Sequence, residues 1–294
     1  MNASGTSPRQ GLFFGAGAGR CGTMMLSNLL NAEDDVLCLH EGKVRDLEVA
    51  KTQWLPFLTL ENFQCYANPE SAKDVFANKR SDMSQIVVDQ QLECFGDIAY
   101  NNAPFVHVIP EVFPTAKLLV IVRDGRDFVR SVYTSQRPDP LPVGWLDQEL
   151  ELSDLERYIA MGRLRPRKET EDSERWPQLT PVAQNAWLWA ETYRVILDGL
   201  QSWPDSQYII VRAENFFDNT VEEYDRIRKF LGFSWPLNDS VRTLLTKRIN
   251  TRSSNNHYIL PKYKDWEHQD RQDFWSEAGE VMERLGYFKD TLER

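Results

Sequence analysis

The stretch FFGAGAGRCGTMML, Phe13 to Leu26, limits what this chain can fold into more than any other. It starts as a short apolar run ending in glycine, which predicts a buried strand over 11–15. It ends with Met24, Leu26, Leu29 and Leu30 at helical spacing, which predicts a helix over Thr23–Asn31. The loop between them is rich in glycine. Such a loop aims the backbone N–H groups of a helix N-terminus at an anion, and its glycines let the backbone come close. The spacing Gly17-x-x-x-x-Gly22-Thr23 nearly repeats the triphosphate-binding pattern, but Thr23 follows Gly22 directly, without the lysine that pattern places after its last glycine. Arg20 is the one cation inside the loop. A turn that serves packing alone is the other reading of the same residues.

Apolar stretches at 36–39, 85–89, 117–123 and 207–211 predict further strands. Helical spacing recurs from Asp127 onward and over 145–162, 180–202, 221–231, 238–247 and 270–286. Strands alternating with helices predict an α/β fold, a central parallel sheet flanked by helices. Residues 136–143, QRPDPLPV, hold three prolines and cannot form regular structure. Residues 163–180 are dense in charge and read as a mobile lid or a solvated connection. No repeat or compositional shift divides the chain, so we expect a polar tail over 1–10 and a single domain over 11–294.

The formal charge of −10 argues against a nucleic acid or an anionic membrane as partner. It leaves room for a small anion held by a local arginine cluster. Cys21, Cys38, Cys65 and Cys94 show neither C-x-x-C spacing nor a histidine at metal spacing, so no disulfide framework is expected. The opening MNASGTSPRQ has no apolar signal core, and no membrane-spanning apolar run follows. These features predict a cytoplasmic protein.

A second motif, LLVIVRDGRDFVRSVY, runs from Leu118 to Tyr133. Arg123 ends its strand and Ser131 lies inside the next helix. A strand-end guanidinium and a helix hydroxyl converge naturally on one anion. Asp127 reads as a helix-start residue, because a carboxylate would repel that anion. A salt-bridge cluster at a helix start is the bland alternative.

Arg20-Cys21-Gly22-Thr23 resembles the first motif of the sulfotransferases that use 3′-phosphoadenosine 5′-phosphosulfate (PAPS), with Cys21 in place of the usual serine. Arg123, Asp127 and Ser131 resemble that family's 3′-phosphate motif. Tyr208–Phe233 and Ser276–Tyr287 resemble its later strand and C-terminal helix. The resemblance covers most of 11–287 and weakens over 45–80 and 135–180, where such enzymes build acceptor pockets. It implies a P-loop-like sulfotransferase fold, PAPS as donor, 3′,5′-ADP as product and no metal. Gly19, Arg20, Cys21, Gly22, Thr23 and Met24 would hold the 5′-phosphosulfate, and Arg123 and Ser131 the 3′-phosphate. Arg252 and Ser253 are the candidates for a basic loop on that phosphate, ahead of Lys262 and Lys264.

In-line sulfuryl transfer needs charge stabilisation on the moving group and a base for the acceptor proton. Arg20 suits the first task. One family branch takes its base from a histidine after the third strand, but Val88-Asp89-Gln90-Gln91 contains none. The branch resembling tyrosylprotein sulfotransferases uses a glutamate about 18 residues past the loop threonine, and Glu41 stands at that distance from Thr23. Glu41 is therefore the expected base and His40 its competitor, since imidazole titrates near neutrality. On an extended segment the two would face opposite ways. Gln90 stands where many relatives carry lysine, and Ala213 where a tyrosine helps hold adenine. Trp187, Trp189 and Trp266 read as core. The expected acceptor is a small neutral or cationic alcohol, phenol or amine. Two rival readings are a P-loop kinase-like phosphotransferase, which would want a lysine before Thr23, and a nucleotide-binding member without turnover.

Overall fold

A computed structural model of the chain describes residues 11–42, 62, 64–78, 83, 92–135, 164–246 and 260–289. Strands β1 (Gly11–Ala16), β2 (Val36–His40), β3 (Cys94–Ile98), β4 (Lys117–Val122) and β5 (Tyr208–Arg212) form one sheet in the order β2-β3-β1-β4-β5. Every pairing is parallel. Six helices carry the argument below: α1 (Thr23–Asn31), α2 (Gly125–Ser135), α3 (Pro181–Gly199), α4 (Ala213–Asp218), α5 (Thr220–Leu231) and α6 (His268–Arg284). No helix among the described residues is long and apolar enough to cross a membrane.

The two-residue period of the central strands sorts their side chains into two cores. Phe14, Leu118 and Val120 join Trp187, Trp189 and Phe274 on one face. Phe13, Leu119 and Ile121 join Leu26, Leu29, Tyr224 and Ile227 on the other. That is why KLLVIV reads as a continuous apolar run: both faces of β4 are covered. Trp187, Trp189 and Trp266 are core residues, as expected. The four cysteines are buried free thiols.

The strand between β2 and β1 is Cys94–Ile98, a stretch that propensity does not single out because it contains Gly96 and Asp97. Both have tertiary reasons. A Cβ on Gly96 would lie 2.3 Å from the Phe13 ring, so only glycine admits that ring. Asp97 belongs to the site described below. The apolar stretch 85–89, Gln90 and the helix expected over 145–162 lie outside the described residues.

Residues 164–180 are anchored to the protein and do not form a free lid. Arg175 pairs with Glu277 of α6 at 2.5 Å and with Asp172 at 2.6 Å, and Trp187 Nε1 donates to Asp172 Oδ2 at 2.8 Å. Arg175 and Asp172 are held by these contacts, while Lys168, Glu169, Glu171 and Glu174 remain exposed.

Beyond α1, a buried polar cluster joins both halves of the second core. The Glu33 carboxylate accepts from Arg228 Nε at 2.6 Å, Tyr224 Oη at 3.0 Å and Trp235 Nε1 at 2.9 Å. Removing one partner of a buried ion pair leaves the other charge uncompensated, at a cost of about 3–5 kcal/mol. Glu33→Gln should therefore destabilise the fold by about that amount in urea unfolding, and adding Arg228→Met should recover much of the loss. Equal stability of Glu33→Gln and wild type would show that the cluster contributes little.

Candidate active site

The carboxyl ends of β1, β2, β3 and β4 meet at one edge of the sheet, beside the reversal of strand order at which open α/β sheets bind ligands. The loop after β1 enters left-handed backbone space three times: at Gly19, φ 77°, at Arg20, φ 50°, and, two residues on, at Gly22, φ 91°. Gly17 is required for a different reason, because a Cβ there would lie 2.4 Å from the Ile121 carbonyl oxygen. Gly22 caps α1, and no side chain among the described residues caps its first turn, which also holds no acidic residue. By contrast, α2 is capped by its own chain, with Asp124 Oδ1 accepting from Arg126 N at 2.8 Å. The open N-terminus of α1 thus offers its unpaired N–H groups and positive dipole end to an anion.

Two aromatic side chains of α3 hold this edge. The Tyr193 hydroxyl donates to Ile121 O at 2.7 Å and accepts from Ala18 N at 3.4 Å, tying the loop to β4. Trp189 Nε1 donates to Arg123 O at 3.0 Å. Glu214 at the start of α4 accepts from Asp124 N at 2.7 Å, and its other oxygen accepts from Tyr287 Oη at 3.0 Å. Sequence reasoning read Trp189 as packing and did not single out Tyr193, and their polar tips are what it missed. The usable signal was an indole or phenol inside an otherwise apolar helix, since such tips seek partners when buried.

The structure brings Arg20, Arg123 and Ser131 together. Arg20 Nε donates to Ser131 Oγ at 3.1 Å, and Arg123 Nη1 donates to Arg20 O at 2.7 Å. Arg123 Nη2 also stands 3.9 Å from Asp127 Oδ2, in the first turn of α2. Desolvation and then the charge of Arg123 lower the proton affinity of Arg20, while Glu41 raises it. An anion between the two guanidinium groups would relieve their repulsion. Cys21 turns its side chain into the core, and burial pushes its thiol up to about 12, so it keeps its proton and offers the loop only backbone. Thr23 is buried, with its hydroxyl 3.1 Å from His40 Nε2.

His40 and Glu41 do not face opposite ways. Extended geometry ends at His40, and Glu41 takes φ 55°, followed by Gly42 at φ 73°. The turn brings Glu41 Oε1 to 4.0 Å from His40 Nε2. A non-glycine residue in this region costs roughly 1–2 kcal/mol, so its neighbours must hold it there. They are on β3: Ile98 O accepts from Glu41 N at 3.2 Å, and Asp97 Oδ1 accepts from Gly42 N at 3.0 Å. Asp97 is buried, and that burial pushes its carboxyl up to about 7, against the donors Gly42 and Asn102 and with the charge of Glu41. Arg252 and Ser253 lie outside the described residues; Met24 is half-buried in the first turn of α1. Phe217 on α4 was not foreseen: it is 49 % exposed, and a Cβ on Gly22 would lie 3.3 Å from its ring.

Comparison with known proteins names this arrangement. The chain belongs to the sulfotransferase family, whose model matches residues 13–237. Solved structures share the fold at low identity. A sulfotransferase domain from the curacin biosynthetic pathway is 13% identical, with TM-score 0.55, covering 96% of this chain and 99% of its own. Sulfotransferase STF9 from Mycobacterium avium is 11% identical, with TM-score 0.54, covering 96% and 78%. STF1 from Mycobacterium tuberculosis is 12% identical, with TM-score 0.53, covering 91% and 77%. No curated protein sequence gives a match.

The raised pKa of Asp97 makes stability pH-dependent. An unfolded aspartate titrates near ~3.9. Between that value and about 7 the native state keeps a proton that the unfolded chain has lost, so this group's contribution falls as pH rises and levels off above 7. Asp97→Asn lacks this dependence. Its stability relative to wild type should improve by about 2–3 kcal/mol between pH 5 and pH 8 in urea unfolding. An unchanged difference would place the native pKa of Asp97 in the ordinary range.

Proposed function

We propose that this sulfotransferase moves a sulfuryl group from PAPS to a hydroxyl or amine of a small molecule and releases 3′,5′-ADP. The observation that carries the reading is the open N-terminus of α1 beside the converging Arg20, Arg123 and Ser131. Residues 19–24 take the 5′-phosphosulfate, with Cys21 contributing backbone alone. Arg123 and Ser131 take the 3′-phosphate, joined by Arg252 and Ser253 on the strength of the family resemblance. Phe217, half-exposed against the loop, takes the adenine face in place of the tyrosine that Ala213 replaces. Four buried free thiols support a reducing, cytoplasmic setting.

In the transfer step the acceptor oxygen or nitrogen forms a bond to sulfur as the bond from sulfur to the 5′-phosphate oxygen breaks. The leaving 3′,5′-ADP keeps that electron pair. Arg20 stabilises the charge on the moving group, and Glu41 takes the acceptor proton. His40, bonded to Thr23 and near Glu41, positions the two ends of the site relative to each other.

Nucleotide choice tests the donor. Losing one charge-assisted contact to the 3′-phosphate is worth about 1.5–3 kcal/mol, so calorimetry should find 3′,5′-ADP bound about 10–150-fold more tightly than 5′-AMP. Equal affinity would sink the Arg123/Ser131 assignment.

Base and acceptor are tested together with labelled PAPS and a panel of 2-naphthol, 1-butanol, benzylamine and heparan-type polysaccharide. At least one small acceptor should be sulfated and the polysaccharide should not. Glu41→Gln should bind 3′,5′-ADP normally and transfer about 10²–10⁴-fold more slowly, with His40→Asn less affected. Robust sulfation of the polysaccharide alone would overturn the acceptor class, and a dead His40→Asn beside a fully active Glu41→Gln would exchange the two roles.

A further inference from the structure

Asp97 is a buried carboxyl at the sheet edge that the transfer step above does not use. Its Oδ1 accepts from Gly42 N at 3.0 Å, one residue beyond Glu41. Its Oδ2 lies 3.3 Å from Asn102 Nδ2. The same amide nitrogen donates to Gly15 O at 3.0 Å, at the end of β1, and to Asp97 O at 3.1 Å. Gly15 O also accepts from Ala99 N at 3.0 Å. A continuous run of bonds therefore leads from the strand that enters the glycine loop, through Asn102 and Asp97, to the turn that carries Glu41.

Three features mark this run as more than packing. Glu41 and Gly42 both sit in left-handed backbone space, so the turn needs external restraint, and β3 supplies it at both amides. Asn102 is fully buried, with its Oδ1 left without a partner among the described residues, a penalty that an apolar residue would not carry. Asp97 likewise bears the cost of a buried carboxyl where an apolar strand residue would pack without one. Both costs fall on groups that connect the loop to the Glu41 turn.

We propose that Asp97, braced by Asn102, is a positioning residue for Glu41, fixing the turn at 41–42 relative to the loop after β1. It touches neither donor nor acceptor and acts through the Gly42 amide. The inference rests on the reading of Glu41 as the base. Misplacing a catalytic group by about an ångström can cost on the order of 100-fold in rate, while nucleotide binding uses other atoms.

The test is a double-mutant cycle between Asp97→Ala and Glu41→Gln, read as kcat with PAPS and the best small acceptor of the panel, and as 3′,5′-ADP affinity. Asp97→Ala should lower kcat by about 10–100-fold and leave 3′,5′-ADP affinity within about twofold. Asp97→Asn keeps a carbonyl acceptor for Gly42 N and should recover most of the rate. In the Glu41→Gln background Asp97→Ala should cost nothing further, since the group it positions has lost its basicity. The proposal is overturned if Asp97→Ala slows Glu41→Gln by the same factor as wild type, if it weakens 3′,5′-ADP binding in parallel, or if it transfers at the wild-type rate. Should Asp97→Ala not fold, Asn102→Ala in both backgrounds decides the matter by the same comparison. Full activity of Glu41→Gln alone would remove the base assignment, and this inference with it, while leaving the family and the nucleotide site untouched.

Discussion

The first turn of α1 leaves its amides open, and the remainder of the site is arranged around that fact. A helix start with no side-chain cap and no acidic residue is incomplete in isolation. It persists because the loop before it is held in an unusual backbone path from two sides. Tyr193 fastens Ala18 to β4, and Arg123 fastens the carbonyl of Arg20. With the path fixed, two arginines and a serine hydroxyl come to the same place as the open amides, and the energetic gap is one that an anion closes.

Several buried polar groups gather near this edge. Asp97, Asn102 and Thr23 all lie within or beside the carboxyl ends of the strands. The Glu33 cluster at the far end of α1 is the counterpart that secures the helix against α5. Together they fix both ends of α1, so the direction of its dipole is set by the core and does not depend on a ligand. A pre-set field of this kind needs little reorganisation when charge shifts during transfer.

Much of this was legible in the order of residues. The glycine loop, the strand-end Arg123 and the helix position of Ser131 follow from periodicity and from the kinds of residue that hold anions, and the structure places all three at one edge. The same reasoning passed over β3, because Gly96 and Asp97 are poor strand formers. Their presence is explained only by the Phe13 ring above one and the Gly42 amide beside the other. It also set His40 and Glu41 on opposite faces, an inference valid for an extended strand and void once Glu41 enters left-handed space.

Local pattern alone determined that this chain builds a parallel α/β sheet with a glycine-rich loop from its first strand into a helix, because strand and helix periods and the conformational freedom of glycine are properties of neighbouring residues. Tertiary structure decided what the loop faces. The meeting of Arg20 with Ser131 spans 111 positions, that of Tyr193 with Ile121 spans 72, and that of Gly42 with Asp97 spans 55. Contacts of such separation depend on strand order and register, which the packing of two helical layers selects and no short stretch of sequence encodes.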